Sequence, residues 1–237
     1  MRALAFDTST DACSVALAVD GETLEDHRVE RQAHARLLLP MIEGLLAEAG
    51  LAAASLDAVA FGRGPGSFTG VRIAAAAAQG LAFAADVGVV GVSTLAAVAQ
   101  GCLAERGDRH SLVVVDARMG ELYVGEYRAA GPDAALVELV GEEAVTGPDA
   151  AGIDAVAATG AAFAGSGIER FPGAFARVAP DRLRPESLPR ASDLLALAAP
   201  RIRSGALDDA AGAIPVYLRD RVALTEAERG TGQGGAR

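Results

Sequence analysis

Two short stretches of the sequence combine residue types that could hold a phosphate group. Asp7 ends an apolar run and is followed at once by the hydroxyl residues Thr8 and Ser9. The segment Gly64-Pro65-Gly66-Ser67-Phe68-Thr69-Gly70 lies between an apolar run and an alanine-rich one. A carboxylate beside a hydroxyl turn suits a metal–phosphate group, and a glycine turn that opens a helix can direct N–H groups at an anion. The candidate phosphate-site residues are Asp7, Thr8, Ser9, Gly64, Gly66, Ser67 and Asp116, the last of which ends a similar run in the second half.

The same residues also have a purely structural explanation. The glycine segment is not a Walker A loop, because no Gly-Lys-Ser/Thr follows, and it lacks the Rossmann spacing Gly-x-Gly-x-x-Gly. Its glycines could instead permit positive φ angles and close packing in a tight strand-to-helix connection. Asp7 could likewise cap a surface turn. On the residues alone both explanations stay open, and no cofactor is predicted.

Other catalytic constellations match the sequence poorly. Ser67 is followed by Phe68-Thr69, so the final glycine of a Gly-x-Ser-x-Gly nucleophile elbow is missing. Cys13 lies in an alternating, strand-like run, which predicts a small buried hydrophobic residue rather than a nucleophile. The three histidines of the chain include no pair at i and i+4. No two-histidine metal site is therefore predicted, and His34 is expected at the surface or at an interface.

Composition limits the classes of partner. The chain has 237 residues and a net charge of −10, and no basic stripe offsets that charge. Phosphate contacts supply most nucleic-acid affinity, so the chain should bind nucleic acid poorly on its own. Two distant cysteines exclude a disulfide framework or a zinc motif. Without a signal peptide or an apolar run long enough to cross a bilayer, we expect a soluble cytoplasmic protein with no membrane contact.

The first half of the sequence predicts the element order βββαβαβα. Alternating runs at 2–7, 12–20 and 22–30, with a hairpin signal at Asp20-Gly21, indicate a three-stranded meander. An apolar stripe predicts a helix over 33–49. A buried strand over 56–62, the helix over 71–85, a strand over 86–92 and a helix to Leu103 then follow.

The second half repeats part of this pattern. After a polar break at 105–109, a strand at 111–116 ends in Asp116, a turn follows, and 121–128 alternates as the returning strand. The signal is poor from 129 to 189, where only short apolar runs and glycine- and alanine-rich loops around 160–167 are visible. A helix over 191–203 and an extended segment at 215–219 follow. We predict subdomains at 1–104 and 110–222 and a disordered tail at 223–237.

Taken together, these motifs resemble a known protein family. The resemblance is strong over residues 1–103, thin over 129–189, and spans nearly the whole chain. The sequence is similar to the TsaB (YeaZ) family of bacterial tRNA threonylcarbamoyladenosine biosynthesis proteins. The segments that carry the resemblance are Asp7-Thr8-Ser9, Gly64 to Ile73, Gly91-Val92-Ser93-Thr94-Leu95, Asp116 to Tyr123, and Pro215-Val216-Tyr217-Leu218-Arg219.

The resemblance implies both a fold and a division of labour. The fold would be the duplicated actin-like ATPase (ribonuclease H-like) α/β fold, with each mixed sheet opened by a β-meander and flanked by helices. The chain would be a non-catalytic partner of the transferase TsaD, which modifies adenosine 37 of tRNAs that read codons starting with A. The ATPase TsaE would join them, and tRNA would bind only through the complex. The phosphate site would then be vestigial, with no cofactor and no metal.

The resemblance also implies an interface. The helix over 71–85 carries small residues almost all round, which predicts burial on more than one side. Family members pair with TsaD, or with themselves, through this helix and its neighbour. The implied contacts are His34, Leu38, Ile42, Leu45, Thr69, Ile73, Ala77, Ala78 and Leu81. The alternatives are an autonomous ATP-dependent kinase or acyltransferase of the actin-like superfamily, and a peptidase, suggested only by names once given to relatives.

Overall fold

The computed structural model describes residues 1–219, so the predicted disordered tail at 223–237 lies outside the described residues. The first half forms a five-stranded sheet in the order β3-β2-β1-β4-β5. Its strands are β1 (Arg2–Asp7), β2 (Ala12–Val19), β3 (Glu22–Val29), β4 (Ala58–Gly62) and β5 (Gly88–Val92), and its helices are α1 (His34–Glu48), α2 (Phe68–Ala85) and α3 (Thr94–Arg106). The meander β1–β3 is antiparallel, whereas β4 and β5 continue the sheet in parallel from β1. The predicted order βββαβαβα is confirmed.

Large residues and alanines alternate along the central strands of this sheet. Leu4 and Phe6 pack in the core beneath α1 and α2, whereas Ala3 and Ala5 face the opposite layer. That opposite layer is a helix from the end of the chain, α6 (Ala191–Ser204). Alternate residues of a strand point to opposite faces, so the alanines form one smooth face on which a helix can pack closely.

The second half forms another five-stranded sheet, in the order β10-β9-β6-β7-β8. The antiparallel meander of β6, β7 and β8 is extended by β9, parallel to β6. The elements are β6 (His110–Arg118), β7 (Glu121–Ala129), β8 (Val137–Thr146), α4 (Ile153–Ala157), β9 (Ala162–Ala164), α5 (Gly167–Arg170) and β10 (Leu183–Arg184). Each half thus opens with a β-meander in a mixed sheet, which confirms the predicted duplicated α/β fold.

The two halves exchange covering helices. Leu95 and Val98 of α3, from the first half, pack on Val113 and Tyr127 of the second sheet. In return α6, which follows the second sheet in the chain, covers the alanine face of the first sheet. The predicted division at 1–104 and 110–222 therefore stays a prediction, since each sheet completes its core with a helix from the other half.

Three local predictions need correction. The region 160–167, predicted as loop, contains β9 and the start of α5. The second helix begins at Phe68, three residues earlier than predicted, because the Ser67 side chain caps it by accepting from the N–H of Gly70. The third helix runs past Leu103 to Arg106 and ends at Gly107, whose φ is +71°.

The apolar run of α2 is longer than predicted. The sequence predicted no apolar run long enough to cross a bilayer, but α2 continues unbroken through Gln79 and Gly80. Its 18 residues have a mean hydropathy of 1.3, so by length and composition it could cross a membrane. One third of that window is buried inside the chain, where its inward side joins the core of the first sheet. The remaining side of α2 is left facing outward.

Candidate functional site

The Asp7 carboxylate lies at the end of β1 in a closed hydrogen-bond network. Asp7 Oδ1 accepts from the backbone N–H of Ser9 at 2.7 Å and from its hydroxyl at 2.6 Å. Asp7 Oδ2 accepts from the Thr94 hydroxyl at 3.0 Å, and the two hydroxyl oxygens are 2.9 Å apart. All three side chains are buried. The carboxylate is thus held by hydroxyls of the chain itself, in the place where the hypothesis put a metal–phosphate group.

The glycine turn packs directly against this network. β1 and β4 are parallel neighbours, so their carboxyl ends lie at the same edge of the sheet. The N–H of Ser67 donates to the carbonyl of Ser9 at 2.7 Å, and the Thr8 hydroxyl donates to the carbonyl of Gly70, also at 2.7 Å. A Cβ atom at Gly66 would lie 2.5 Å from the Ser9 carbonyl oxygen, and one at Gly70 would lie 1.9 Å from that of Thr8. These two glycines are required for close packing between the turns.

Burial dominates the electrostatics of Asp7. Removal from water raises the pKa of its carboxyl above the ordinary value, while hydrogen bonds from Ser9 and Thr94 and the nearby His34 oppose that rise. His34 Nε2 donates to the carbonyl of Ala12 at 3.2 Å and is buried. His34 is therefore not at a free surface, because the first turn of α1 packs onto β2, and its expected place at an interface stays a prediction.

The two remaining phosphate-site candidates, Asp116 and Gly64, differ in their distance from this network. Asp116, in the second sheet, accepts at Oδ1 from the N–H of Arg118 at 2.8 Å and at Oδ2 from its guanidinium at 3.0 Å. Gly64 has φ of +94°, and its carbonyl accepts from the N–H of Thr94 at 3.0 Å. The structure therefore brings together Asp7, Thr8, Ser9, Gly64, Gly66 and Ser67, with Gly64 joined through Thr94, while nothing in residues 1–219 joins Asp116 to them by a hydrogen bond. Nucleotide binding at this place stays a prediction.

The candidate nucleophiles are poorly placed for covalent chemistry. Cys13 is completely buried, and burial raises the pKa of its thiol to about 12. Burial likewise raises the pKa of the Cys102 thiol to about 11. The thiolate is the reactive form of cysteine, so both thiols are unreactive near neutral pH.

Within residues 1–219, no group of three or more His, Cys, Asp or Glu side chains is arranged to hold a metal ion.

The predicted interface residues separate into two sets. His34, Leu38, Ile42, Leu45 and Ala78 are buried in the core of the first half. Their side chains contact the sheet rather than a partner, because the apolar stripe of α1 is its inward face. Of the other four predicted residues, Thr69 is exposed. The remaining three are half-buried at the edge of that core: Ile73, Ala77 and Leu81. The interface stays a prediction at all nine positions, and the five buried ones have little side-chain area left for a partner.

Sequence reasoning missed a second polar network between the two halves. Glu143 of β8 accepts hydrogen bonds from the hydroxyls of Ser93, which caps α3, and Tyr127. Arg63 Nη2 lies 3.7 Å from the other carboxylate oxygen of Glu143. The C-terminal segment reinforces this junction, since the N–H of Val216 donates to the Arg63 carbonyl at 2.8 Å. Glu143 gives no sequence signal, because it lies in the thinly patterned region 129–189.

Comparisons with known proteins give a consistent result. Residues 28–227 match the family model described as TsaD: tRNA N6-adenosine threonylcarbamoyltransferase. The tRNA threonylcarbamoyladenosine biosynthesis protein TsaB of Escherichia coli K12 is 47% identical over 128 residues, which is 54% of this chain and 55% of that protein. TsaB of Haemophilus influenzae is 48% identical over 123 residues, 52% of each chain. The match therefore spans about half the length of these curated relatives.

Solved structures extend the match over the whole described fold. A Pseudomonas aeruginosa protein, described as uncharacterized with similarity to peptidase YeaZ, is 44% identical with a TM-score of 0.83. The alignment covers 92% of this chain and 99% of that one. YeaZ from P. aeruginosa is 43% identical with a TM-score of 0.81 and the same coverage. The duplicated sheets are those of the predicted actin-like fold, and the chain belongs to the TsaB (YeaZ) family, within the wider family that the TsaD model describes.

Proposed function

We propose that this chain is the non-catalytic partner subunit of a TsaD-type threonylcarbamoyltransferase. It is required for threonylcarbamoyladenosine formation at position 37 of tRNAs that read codons starting with A, with a TsaE-type ATPase joining the assembly. The names of the relatives support the modification, and the family model supports a relationship to the transferase. The chain works in the cytoplasm without a cofactor of its own, and it meets tRNA through the complex.

The observation that carries the partner role is the outward side of α2. Ala76, Gly80 and Ala84 are exposed and small, and Phe83 beside them is 83% exposed. Together they form an apolar face at helical spacing that the described part of the chain does not cover. Small residues allow another helix to approach closely, and an exposed phenylalanine is a typical interface anchor.

The closed Asp7 network supports a non-catalytic role. Both carboxylate oxygens accept hydrogen bonds from Ser9 and Thr94, and the glycine turn lies against Ser9 without room for a Cβ atom. Admitting a phosphate or a metal ion here would require breaking these bonds inside the core.

The outward side of α2 is equally available to a second copy of the chain, so self-pairing and pairing with TsaD compete for one surface.

The test uses Gly80→Arg. Gly80 lies in the exposed middle of α2, and a Cβ atom there would contact nothing within 4 Å. Arginine is a better helix former than glycine by about 0.8 kcal/mol, so the variant should fold. An unpaired charge at the centre of an apolar interface typically costs several kcal/mol. We expect loss of co-elution with TsaD from the same genome in size-exclusion chromatography, with an unchanged or higher Tm.

The matched control is Gly147→Arg. Gly147 is equally open, since a Cβ atom added there would also have no neighbour within 4 Å, but it lies in the second half. It should retain both co-elution and, in cells lacking the natural gene, the modified nucleoside measured by mass spectrometry. Co-elution of Gly80→Arg with TsaD would contradict the interface. Nucleotide turnover by the chain alone that Asp7→Asn abolishes would favour the autonomous enzyme instead.

A further inference from the structure

Three side chains from distant parts of the sequence form one exposed cluster, which we call the arginine–aromatic cluster. The Arg72 guanidinium carbon lies 3.5 Å from the centre of the Phe68 ring, and Arg72 Nε donates to the Tyr217 hydroxyl at 2.9 Å. The ring centres of Phe68 and Tyr217 are 6.0 Å apart. Phe68 is 51% exposed and Tyr217 is 48% exposed. The cluster is thus fixed in place by its own contacts and still open to solvent.

The proposed partner role of α2 leaves this cluster unexplained. Within residues 1–219, the two terminal nitrogens of Arg72 have no hydrogen-bond partner. The hydrogen bond to Tyr217 and the stacking on Phe68 therefore fix the plane of the Arg72 guanidinium, and its two terminal nitrogens stay available as donors. A planar cation stacked on one aromatic ring and bonded to a second suits a nucleobase, which stacks on such groups, and a phosphate, which accepts from the free N–H groups.

The surroundings of the cluster favour an anionic ligand. Two residues after Tyr217, the Arg219 guanidinium donates to the carbonyl oxygen of Ala117 at 3.1 Å, at the turn between β6 and β7. That turn exposes Arg118 and Met119, with 70% of the Arg118 side chain and 69% of Met119 accessible. The carboxylates of this edge, Asp116 and Glu121, are already paired with Arg118 and Arg219. Within residues 1–219, Arg72 has no ion pair, so its guanidinium is the cation of this edge that is available to an anionic ligand.

We infer that the arginine–aromatic cluster binds unpaired nucleotides of the substrate RNA. Bases stack on Phe68, Arg72 and Tyr217, and a phosphate contacts the terminal nitrogens of Arg72. This inference rests on the proposed function, because the transferase complex is what brings an RNA to the chain. A single small cluster on an acidic protein binds RNA weakly alone, which agrees with the prediction that tRNA is bound only by the assembly.

The test measures RNA binding by the complex of the full chain with TsaD. The probe is a fluorescein-labelled RNA hairpin with an unpaired loop, and the readout is fluorescence anisotropy. Stacking tolerates another aromatic ring but not an aliphatic side chain. We therefore expect the double variant Phe68→Leu/Tyr217→Leu to bind about tenfold more weakly or worse, and Phe68→Tyr to bind like the unaltered chain. Arg72→Gln should reduce the slope of log affinity against log salt by about 1.

The chain offers a matched control in a second arginine–phenylalanine pair. The Arg170 guanidinium carbon lies 5.5 Å from the centre of the Phe171 ring, on α5 and outside the cluster. Arg170→Gln removes the same charge as Arg72→Gln and should leave both the affinity and its salt dependence unchanged. An equal loss in both variants would show a general charge effect and overturn the site.

Three further results would overturn the inference. Equal binding of a fully paired RNA duplex would exclude base stacking. Full competition by AMP would indicate a mononucleotide site. Loss of TsaD from the complex in the leucine variants would show that the cluster is a protein contact.

If the unaltered chain forms no complex with TsaD, the proposed function fails, and the titration is repeated on the chain alone. Weaker hairpin binding by the leucine variants would then still support the cluster, and unchanged binding would overturn it.

Discussion

A buried carboxyl group at the junction of the two halves should make the stability of the protein depend on pH. Asp193 lies in the first turn of α6 and is 8% exposed. Its carboxylate faces α3, where a Cβ atom at Gly101 would lie 2.9 Å from Oδ2. Burial, and then the neighbouring Glu25 and Glu105, raise the pKa of Asp193 from 3.8 to about 7, whereas Arg190 opposes the rise.

The sign and the size of the effect follow from this difference. The pKa of Asp193 is higher in the folded protein than in the unfolded chain, so the folded protein loses stability as the pH rises from 3.8 through about 7. Each pKa unit corresponds to about 1.4 kcal/mol, which gives a cost of at most about 4 kcal/mol at pH 8. The positive end of the α6 dipole favours the carboxylate by about 0.3–1 kcal/mol, so the cost should fall below that limit.

The substitution Asp193→Asn removes this ionisation while keeping the shape of the side chain. We expect urea unfolding to show a stability gain over the unaltered chain that grows by about 2–3 kcal/mol between pH 5 and pH 8. Asp133→Asn, at an exposed position of the second half, should show no such growth. A gain for Asp193→Asn that is the same at both pH values would refute the assignment of a raised pKa.

Two further predictions use the packing of glycines and cysteines. Gly70→Ala should lower the free energy of unfolding by about 3 kcal/mol or more, because its Cβ would lie 1.9 Å from the Thr8 carbonyl oxygen. Gly44→Ala, in open space on α1, should raise it by about 0.5–1 kcal/mol, and equal effects of the two changes in urea would contradict the packing. The thiols of Cys13 and Cys102, with pKa values raised to about 12 and about 11, should resist iodoacetamide at pH 8 until the protein is unfolded. Labelling of either native thiol, detected by mass spectrometry, would contradict their burial.

Much of the first half was predictable because its signals are local. The Asp20-Gly21 turn fixes the hairpin between β2 and β3, and Ser93 fixes the start of α3 by accepting from two backbone N–H groups. The glycine turn was also located correctly between β4 and α2. Sequence could not decide whether its glycines serve a ligand or packing. That depends on the Ser9 and Thr8 carbonyls, which approach from a different strand end.

The features that the sequence left undecided concern what each element packs against. The stripe of α1 that contains Leu38 and Ile42 has helical spacing whether it faces a sheet or a partner, and here it faces the sheet. The strand β9 is three residues long and lies between glycine-rich segments, so its alternation is too short to detect. The arrival of α6 on the first sheet is a contact between residues far apart in the chain, which no local pattern encodes.

The alanine face of the first sheet has a consequence for folding during synthesis. Ala3, Ala5, Ala58 and Ala60 are in place early in translation, yet the helix that shields them begins only at Ala191. A nascent chain halted before that point would carry a complete sheet with one bare apolar side. Such an intermediate is prone to aggregation and is a natural client for chaperones. The first-made half should therefore become resistant to proteolysis on the ribosome only after α6 has emerged and packed on it.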